Sequence, residues 1–247
     1  MFPVSVVIIT KDEDQNIEDA LKSVSDAQEI IVVDAFSADK TVEICRKYTD
    51  KVYQLEWQGF ARQKQTAVDY AKGQWVLVLD ADERVTPELK SEIVQAISNT
   101  DSSGFYIPRE NYFIGKWIKH GGWWPDHTLR LFRKDKGRFE IREVHEKVVV
   151  DGKTSHLKNP LKHFTYRSMS DFIARAENYS TLAARELKKK GRCAGVFSLT
   201  VKPLATFLKM YFLRLGFLDG TRGLILAVLY GYYTFLKYAK TWESRVK

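Results

Sequence analysis

Between Gln74 and Glu83 the chain reads Gln-Trp-Val-Leu-Val-Leu-Asp-Ala-Asp-Glu. The uninterrupted apolar run Trp75 to Leu79 suits a strand covered on both faces, as in a parallel sheet. Such a strand demands packing layers above and below it, which points to an α/β architecture. Asp80, Asp82 and Glu83 follow at its carboxyl end, where open α/β sheets place their ligands. Carboxylates this close repel one another unless a cation or hydrogen-bond donors offset them. The segment is therefore a candidate site for a hard divalent cation, Mg²⁺ or Mn²⁺, against the plainer alternative of a solvated strand end.

The first hundred residues repeat the theme. Val4–Ile9 reads as a buried strand that ends in the polar loop Thr10-Lys11-Asp12-Glu13-Asp14, and Ile17, Ala20, Leu21 and Val24 follow at helical spacing. A second strand, Glu29–Val33, ends at Asp34. A helix is expected from about Lys40 to Tyr48, a short strand over Lys51–Leu55, and a polar helix from Gly59 to Lys72-Gly73. Thr86-Pro87 starts another helix, with Thr as N-cap and Pro at its first position. Strands alternating with helices call for a parallel sheet with right-handed crossovers, which brings all three acidic loops to one edge. For Asp34, Ser37 and Asp39 the plain alternative is helix capping. Past residue 100, strands are expected over Gly104–Arg109, Asp126–Arg133 and Val144–Val150. A helix then runs from Ser170 to about Lys190, and two more are broken near Gly216–Gly223.

The charge is unevenly distributed. Residues 1–100 carry 11 Lys and Arg against 18 Asp and Glu, whereas residues 101–247 carry 28 against 13. The basic half suits an anionic partner, but it contains no recognised basic-aromatic nucleic-acid module. No Gly-x-Gly-x-x-Gly follows the first strand, which weighs against a dinucleotide site. The two cysteines, Cys45 and Cys193, form neither a disulfide framework nor a metal-ligand spacing, and Cys45 lies on an apolar helix face as a buried thiol. The N-terminus lacks the features of a signal peptide, and the longest charge-free apolar stretch near the C-terminus, Gly223–Leu236, is short of a bilayer span. A cytoplasmic location is the default expectation. The aromatic and basic C-terminal region suggests either an oligomer interface or a surface that meets anionic lipid.

Three blocks, VSVVIITKDEDQNIEDAL, EIIVVDAFSADKTVEI and KQTAVDYAKGQWVLVLDADE, resemble the signature blocks of family 2 glycosyltransferases, in order and spacing, over residues 3 to about 98. The resemblance implies an α/β GT-A nucleotide-diphospho-sugar transferase fold, mainly parallel sheet flanked by helices, with a C-terminal helical extension. It divides the chain into a catalytic domain, 1–165, with a nucleotide-sugar half at 1–100 and an acceptor half at 101–165, and a helical region at 166–247. It places Thr10, Glu13 and Asp34 at the base and ribose, with Ser37 nearby. Lys64, 16 positions before Asp80, goes near the nucleotide or its phosphates; Asp80 lies near the ribose and Asp82 on the metal. Asp12 and Gln65 stand where Asn is more usual in the family, which leaves the donor sugar open. The segments RENYFIGKWIKHGGWWPDHTLRLFRKDKGRFEIREVHEKVVVDGK and VKPLATFLKMYFLRLGFLDGTRGLILAVLYGYYTFLKYAK are similar to bacterial lipopolysaccharide-core glucosyltransferases that add a β-linked glucose to heptose.

Sugar transfer with inversion requires a stabilised leaving diphosphate and a carboxylate that takes the acceptor proton on the opposite face. Glu146, in Val144-His145-Glu146, is the first choice for that base, with Glu143 and Asp126 as rivals. Arg130 and Arg133 are three apart and share a strand face only if the strand bulges. A guanidinium fork from one of them suits phosphate, and we assign Arg130 that role. Of Trp123 and Trp124, one is expected to pack. The resulting expectation is an inverting, metal-dependent transfer of a hexose, glucose from UDP-glucose, to an anionic lipopolysaccharide inner-core acceptor at the inner face of the cytoplasmic membrane. The alternatives are charging of a polyprenyl phosphate or another cell-surface glycan, and an inactive sugar-nucleotide-binding protein.

Overall fold

The computed structural model describes residues 2–140 and 147–246. It divides into two compact units, residues 1–109 with 127–163, and residues 110–126 with 164–247. The first unit begins with β1 (Phe2–Thr10), α1 (Ile17–Ser23), β2 (Ala27–Asp34), α2 (Thr41–Cys45), β3 (Val52–Gln54), α3 (Phe60–Tyr70) and β4 (Trp75–Asp80). The α2 helix is shorter than its apolar spacing predicts. After Cys45 the chain continues in tight turns, with the Lys47 and Tyr48 amides donating three residues back, before Thr49 anchors on the Ile30 carbonyl. Next come β5 (Glu83–Val85) and α4 (Pro87–Ser98), the latter capped as expected by Thr86 Oγ1, which accepts from the Leu89 amide at 3.1 Å. The remaining strands are β6 (Gly104–Phe113), β7 (Lys116–Trp117), β8 (Asp126–Arg133), β9 (Gly137–Glu140), β10 (Lys147–Val150), β11 (Thr154–His156) and β12 (Leu161–Tyr166). The strand expected over Val144–Val150 is described only from Lys147.

The main sheet runs β3-β2-β1-β4-β8-β6-β12-β5. Its first four strands are parallel, and β8 then joins β4 antiparallel. Two apolar layers cover β1 and β4. Val6, Ile8, Leu77 and Leu79 face one core with Leu21, Leu89 and Ile93, while Val7, Val76 and Val78 face another with Ala67, Val68 and Phe132. This two-sided burial is the physical reason that neither strand alternates polar with apolar residues. Cys45 lies fully inside the first core, where burial pushes its thiol up to about 12.

The opposite end of the sheet is fastened by one carboxylate. Glu29, at the amino end of β2, accepts from Ser5 Oγ of β1, Lys51 Nζ and the amides of Lys72 and Gly73, the turn that leads into β4. Gly73 approaches Ser5 so closely that a Cβ there would collide with the Ser5 hydroxyl.

In the second unit, α5 (Met169–Lys189), α6 (Val196–Leu208) and α7 (Thr221–Val246) follow the chain. A π-helical turn, Lys209–Leu213, and a 3₁₀ turn, Gly216–Asp219, separate α6 from α7. The α5 cap is Ser168, two residues earlier than the Ser170 start read from the sequence; its hydroxyl accepts from the Asp171 amide. Phe113, Ile118, Trp123, Phe172, Leu226 and Leu229 form this unit's core. Trp123 is the packed member of the tryptophan pair, against Phe113 and Tyr230, whereas Trp124 meets Trp117 edge-on.

Burial alone would raise the Glu29 carboxyl, but the donors from Lys51, Ser5, Lys72 and Gly73 overcome it and hold the carboxyl at about 2, against 4.5 for a free side chain. A depressed carboxylate contributes stability that is complete above pH 4.5 and disappears as the pH falls toward 2. Glu29→Gln is expected to cost about 2 kcal/mol at pH 7 and to flatten the acid limb of a melting-temperature profile between those values. An unchanged acid limb would show that Glu29 does not tie these strands.

Candidate active site

Register explains why three distant loops meet. Thr10 pairs with Asp34 across β1 and β2, and Ile9 pairs with Asp80 across β1 and β4. The carboxyl ends of three adjacent parallel strands therefore form one row, as expected from the acidic loops. Thr10 Oγ1 donates to Asp34 Oδ1 at 2.9 Å, the Ser37 amide donates to Asp34 Oδ2 at 2.8 Å, and Ser37 Oγ donates to Oδ1. The Asp12 amide then donates to Ser37 Oγ, which interlocks the two loops. Glu13 uses its amide on Thr41 Oγ1 and accepts from Asn16 Nδ2. Asp12 and Phe36 both adopt left-handed backbone, at φ 53° and 54°. For an exposed phenylalanine that conformation is strained, and such strain clusters at binding loops.

At the end of β4 the carboxylates separate by environment. Asp80 Oδ1 takes Lys64 Nζ at 2.8 Å, and Oδ2 takes Arg130 Nη2. Burial would raise the Asp80 carboxyl, but the Arg130 guanidinium and the Lys64 ammonium hold it well below the usual carboxylate range. Glu83 is completely buried. It accepts from Arg130 Nη2 at 2.7 Å, lies 3.5 Å from Arg109 Nη1, and accepts the Asp80 amide at 3.0 Å. Glu83 thus fixes both the turn and the guanidinium that flanks it. Arg84 completes the turn by donating to the carbonyls of Ala81, Glu83 and Asn16.

Asp82 faces elsewhere. Its Oδ2 lies 3.4 Å from His163 Nε2, and both side chains are largely buried. Antiparallel pairing of β12 with β5, His163 opposite Glu83, brings the histidine there. The Asp82 carboxylate is a hard oxygen donor that suits Mg²⁺ or Mn²⁺ when substrate phosphates and water supply the remaining positions, and His163 holds its orientation. Among the described residues no group of three or more His, Cys, Asp and Glu is placed to hold a metal alone.

Of the sequence-predicted residues, the structure thus brings Thr10, Asp34 and Ser37 into one network and Lys64, Asp80 and Arg130 into another. Arg133 points away and pairs with Asp135 at 3.5 Å; β8 keeps regular register there, so residues three apart take opposite faces. Glu143 and Glu146 lie outside the described residues, as does His145. Asp126 is described in the second unit, where Asn111 Nδ2 donates to it at 3.0 Å. Sequence reasoning did not single out His163, Arg84 or Arg109. Only Arg84, adjacent to the acidic run, carried any local signal; the other two arrive through strand pairing.

A row of loops at the carboxyl edge of a parallel sheet, with an Asp-x-Asp turn on its central strand, is the arrangement of GT-A glycosyltransferases, and solved structures of that class share this fold. A mannosyltransferase from Pyrobaculum calidifontis, solved with GDP-Man and Mn²⁺, superposes with a TM-score of 0.56 at 14% identity, covering 97% of this chain and 86% of that one. S. aureus TarS 1–349 in complex with UDP-GlcNAc gives 0.52 at 16% identity, covering 98% and 91%. Residues 5–167 match the family model for Glycosyl transferase family 2, and the chain belongs to that family. It is 30% identical over 255 residues to the lipopolysaccharide core biosynthesis glycosyltransferase LpsC of Rhizobium meliloti, covering 98% of this chain and 93% of the relative. An uncharacterized glycosyltransferase of Rickettsia conorii is likewise 30% identical, over 99% of this chain and 91% of its own. The protein is a family 2 glycosyltransferase related to a lipopolysaccharide-core enzyme.

Removing the Glu83 charge leaves Arg130 and Arg109 facing a buried neutral group. Glu83→Gln is expected to lower stability by about 3 kcal/mol, within the range for breaking a buried ion pair. Urea denaturation measures it, and a loss below about 0.5 kcal/mol, the range of ordinary surface substitutions, would show that the buried cluster is not structural.

Proposed function

We propose that the protein transfers a hexose, glucose from UDP-glucose, with inversion onto a sugar of the lipopolysaccharide inner core. The observation that carries this reading is the Asp80 cluster: one half-buried carboxylate with Lys64 on one oxygen and Arg130 on the other, beside Asp82 and His163. Two cations drawn together by a carboxylate at the edge of a parallel sheet are preorganised for a diphosphate. Lys64 and Arg130 would steady the departing UDP, and the guanidinium fork would fix its orientation. Thr10, Glu13, Asp34 and Ser37 would grip base and ribose, and their mutual hydrogen bonds support a loop set before the donor arrives. Asp82, with His163 beside it, would hold a Mg²⁺ or Mn²⁺ that adds Lewis-acid stabilisation of the leaving diphosphate. Support for a lipopolysaccharide acceptor is the near full-length likeness to LpsC. Such an acceptor is an anionic glycolipid at the inner face of the cytoplasmic membrane, and the basic second half suits it.

Two measurements test this reading. Wild type is expected to bind UDP more tightly with Mn²⁺ present, to hydrolyse UDP-glucose slowly without acceptor, and to lose the latter activity on chelation. Asp82→Asn is expected to abolish both the metal dependence and the hydrolysis, read by calorimetry and UDP release. Wild type that neither binds nor turns over any UDP-sugar would overturn the donor assignment.

Glu146 is proposed as the acceptor base, ahead of Glu143 and Asp126. Glu146→Gln is expected to slow transfer by about 10²–10⁴-fold, the usual scale for a general base, with UDP affinity unchanged. Transfer that persists in that variant but falls in Asp126→Asn would move the role to Asp126.

A further inference from the structure

The α6 helix has inverted polarity. Phe197, Val201, Leu204, Leu208 and Phe212 recur at steps of four, three, four and four along α6 and its π-helical turn, and all are exposed, Phe197 at 65% and Leu204 at 58%. The face turned toward α7 carries the helix's polar groups beside Phe207, which packs near Gly231. Lys202 Nζ meets the Tyr238 hydroxyl at 3.1 Å, and Thr206 Oγ1 meets Thr234 Oγ1 at 3.2 Å. A helix on a water-facing surface normally shows the opposite arrangement. The apolar surface continues around the turn, where Leu213, Leu215, Phe217 and Leu218 are also exposed, Leu213 at 80%. Contiguous apolar surface of this kind marks an interaction site.

Charge selects the occupant. From Leu187 to Leu218 there are seven Lys and Arg and no Asp or Glu: Lys188, Lys189, Lys190, Arg192, Lys202, Lys209 and Arg214. A symmetric contact with a second copy would set this basic segment against itself, which like charges disfavour. An anionic bilayer offers both what the leucines and phenylalanines require and what the bases attract. The 18-residue stretch Val196–Leu213 is long and apolar enough to cross a membrane by length and composition, with 11% of it buried. Its inner face, however, is packed along α7, whose second half carries Lys237, Lys240, Glu243 and Arg245. Crossing as a pair would drag those charges into hydrocarbon, which strongly disfavours them.

The geometry points to α6 and the turn after it as an interfacial membrane anchor: the stripe from Phe197 to Phe212 lies in the headgroup–acyl boundary of an anionic bilayer, flanked by the bases of 188–192, Lys209 and Arg214. This deepens the glycolipid-acceptor reading and rests on it only for which membrane is met.

The test is flotation of the full chain with vesicles of phosphatidylethanolamine and phosphatidylglycerol, against phosphatidylcholine alone, with UDP-glucose hydrolysis measured in parallel. Wild type is expected to float with the anionic vesicles and to be released at high salt or by alkaline carbonate. The double variant Leu204→Asp/Leu208→Asp is expected to bind at least about ten-fold less, given the lost apolar area, while keeping its hydrolysis rate. Lys189→Gln/Lys190→Gln/Lys209→Gln is expected to lose the preference for anionic over neutral vesicles. Wild type that stays unbound, an Asp variant that floats equally well, or a wild-type dimer that the Asp variant dissociates would each overturn the anchor. Resistance to carbonate would replace it with a spanning segment. Vesicle binding without any UDP-sugar turnover would leave the anchor standing and remove the UDP-sugar donor reading instead.

Discussion

The charge balance around Asp80 and Glu83 is the constraint on which the carboxyl edge of the parallel strands depends. Glu83 is fully buried, an expensive place for a carboxylate, and Arg130 and Arg109 face it while the Asp80 amide donates to it. Arg130 in turn reaches both carboxylates, so the turn after β4 and the middle of β8 are held by one guanidinium. Lys64 comes from α3 and fixes that helix against the same turn. Two cations, one from α3 and one from β8, are thus held at fixed positions beside the turn after β4.

That assembly works because the sheet is locked at both ends. At the carboxyl edge, register places Thr10, Asp34 and Asp80 side by side. At the far edge, Glu29 ties β1, β2 and the turn before β4. Between them the two apolar layers leave the strands no freedom to slip, because a shift of one residue would exchange the faces that Val6 and Val7 present. The second unit solves a different problem. Its core of Phe113, Trp123, Phe172 and Leu226 is ordinary, but α6 turns its apolar stripe away from that core.

The parallel half of the sheet was legible because a strand buried on both faces leaves an unmistakable apolar run. Trp75–Asp80 and the Thr86-Pro87 helix start appear where the residues place them. The α2 boundary was not legible: apolar spacing continues to Tyr48, but the chain must turn early for Thr49 to reach Ile30. Among site residues, Thr10, Asp34, Ser37, Lys64, Asp80 and Arg130 carried signals in their motifs and are found in shared networks. His163 carried none, since a lone histidine before Phe164 has no spacing to give it away. The aromatic and basic character of the C-terminal region was legible, but the exposed stripe on α6 was not: the sequence shows a period, not which side of it faces outward.

The sequence by itself determined the family, the α/β alternation and the acidic strand ends, because these depend on short-range patterns of burial and charge. Only the tertiary structure decided the surroundings of each carboxylate. Asp80, Asp82 and Glu83 are nearly equivalent along the chain, yet each takes a different environment: two cations, an imidazole, and a buried guanidinium pair. Those partners come from α3, β12, β8 and β6, and antiparallel strand pairing between segments up to 80 residues apart, as with His163 opposite Glu83, sets the differences. The carboxyl run announced by Trp75–Leu79 is thus one motif in sequence and three different electrostatic sites in space.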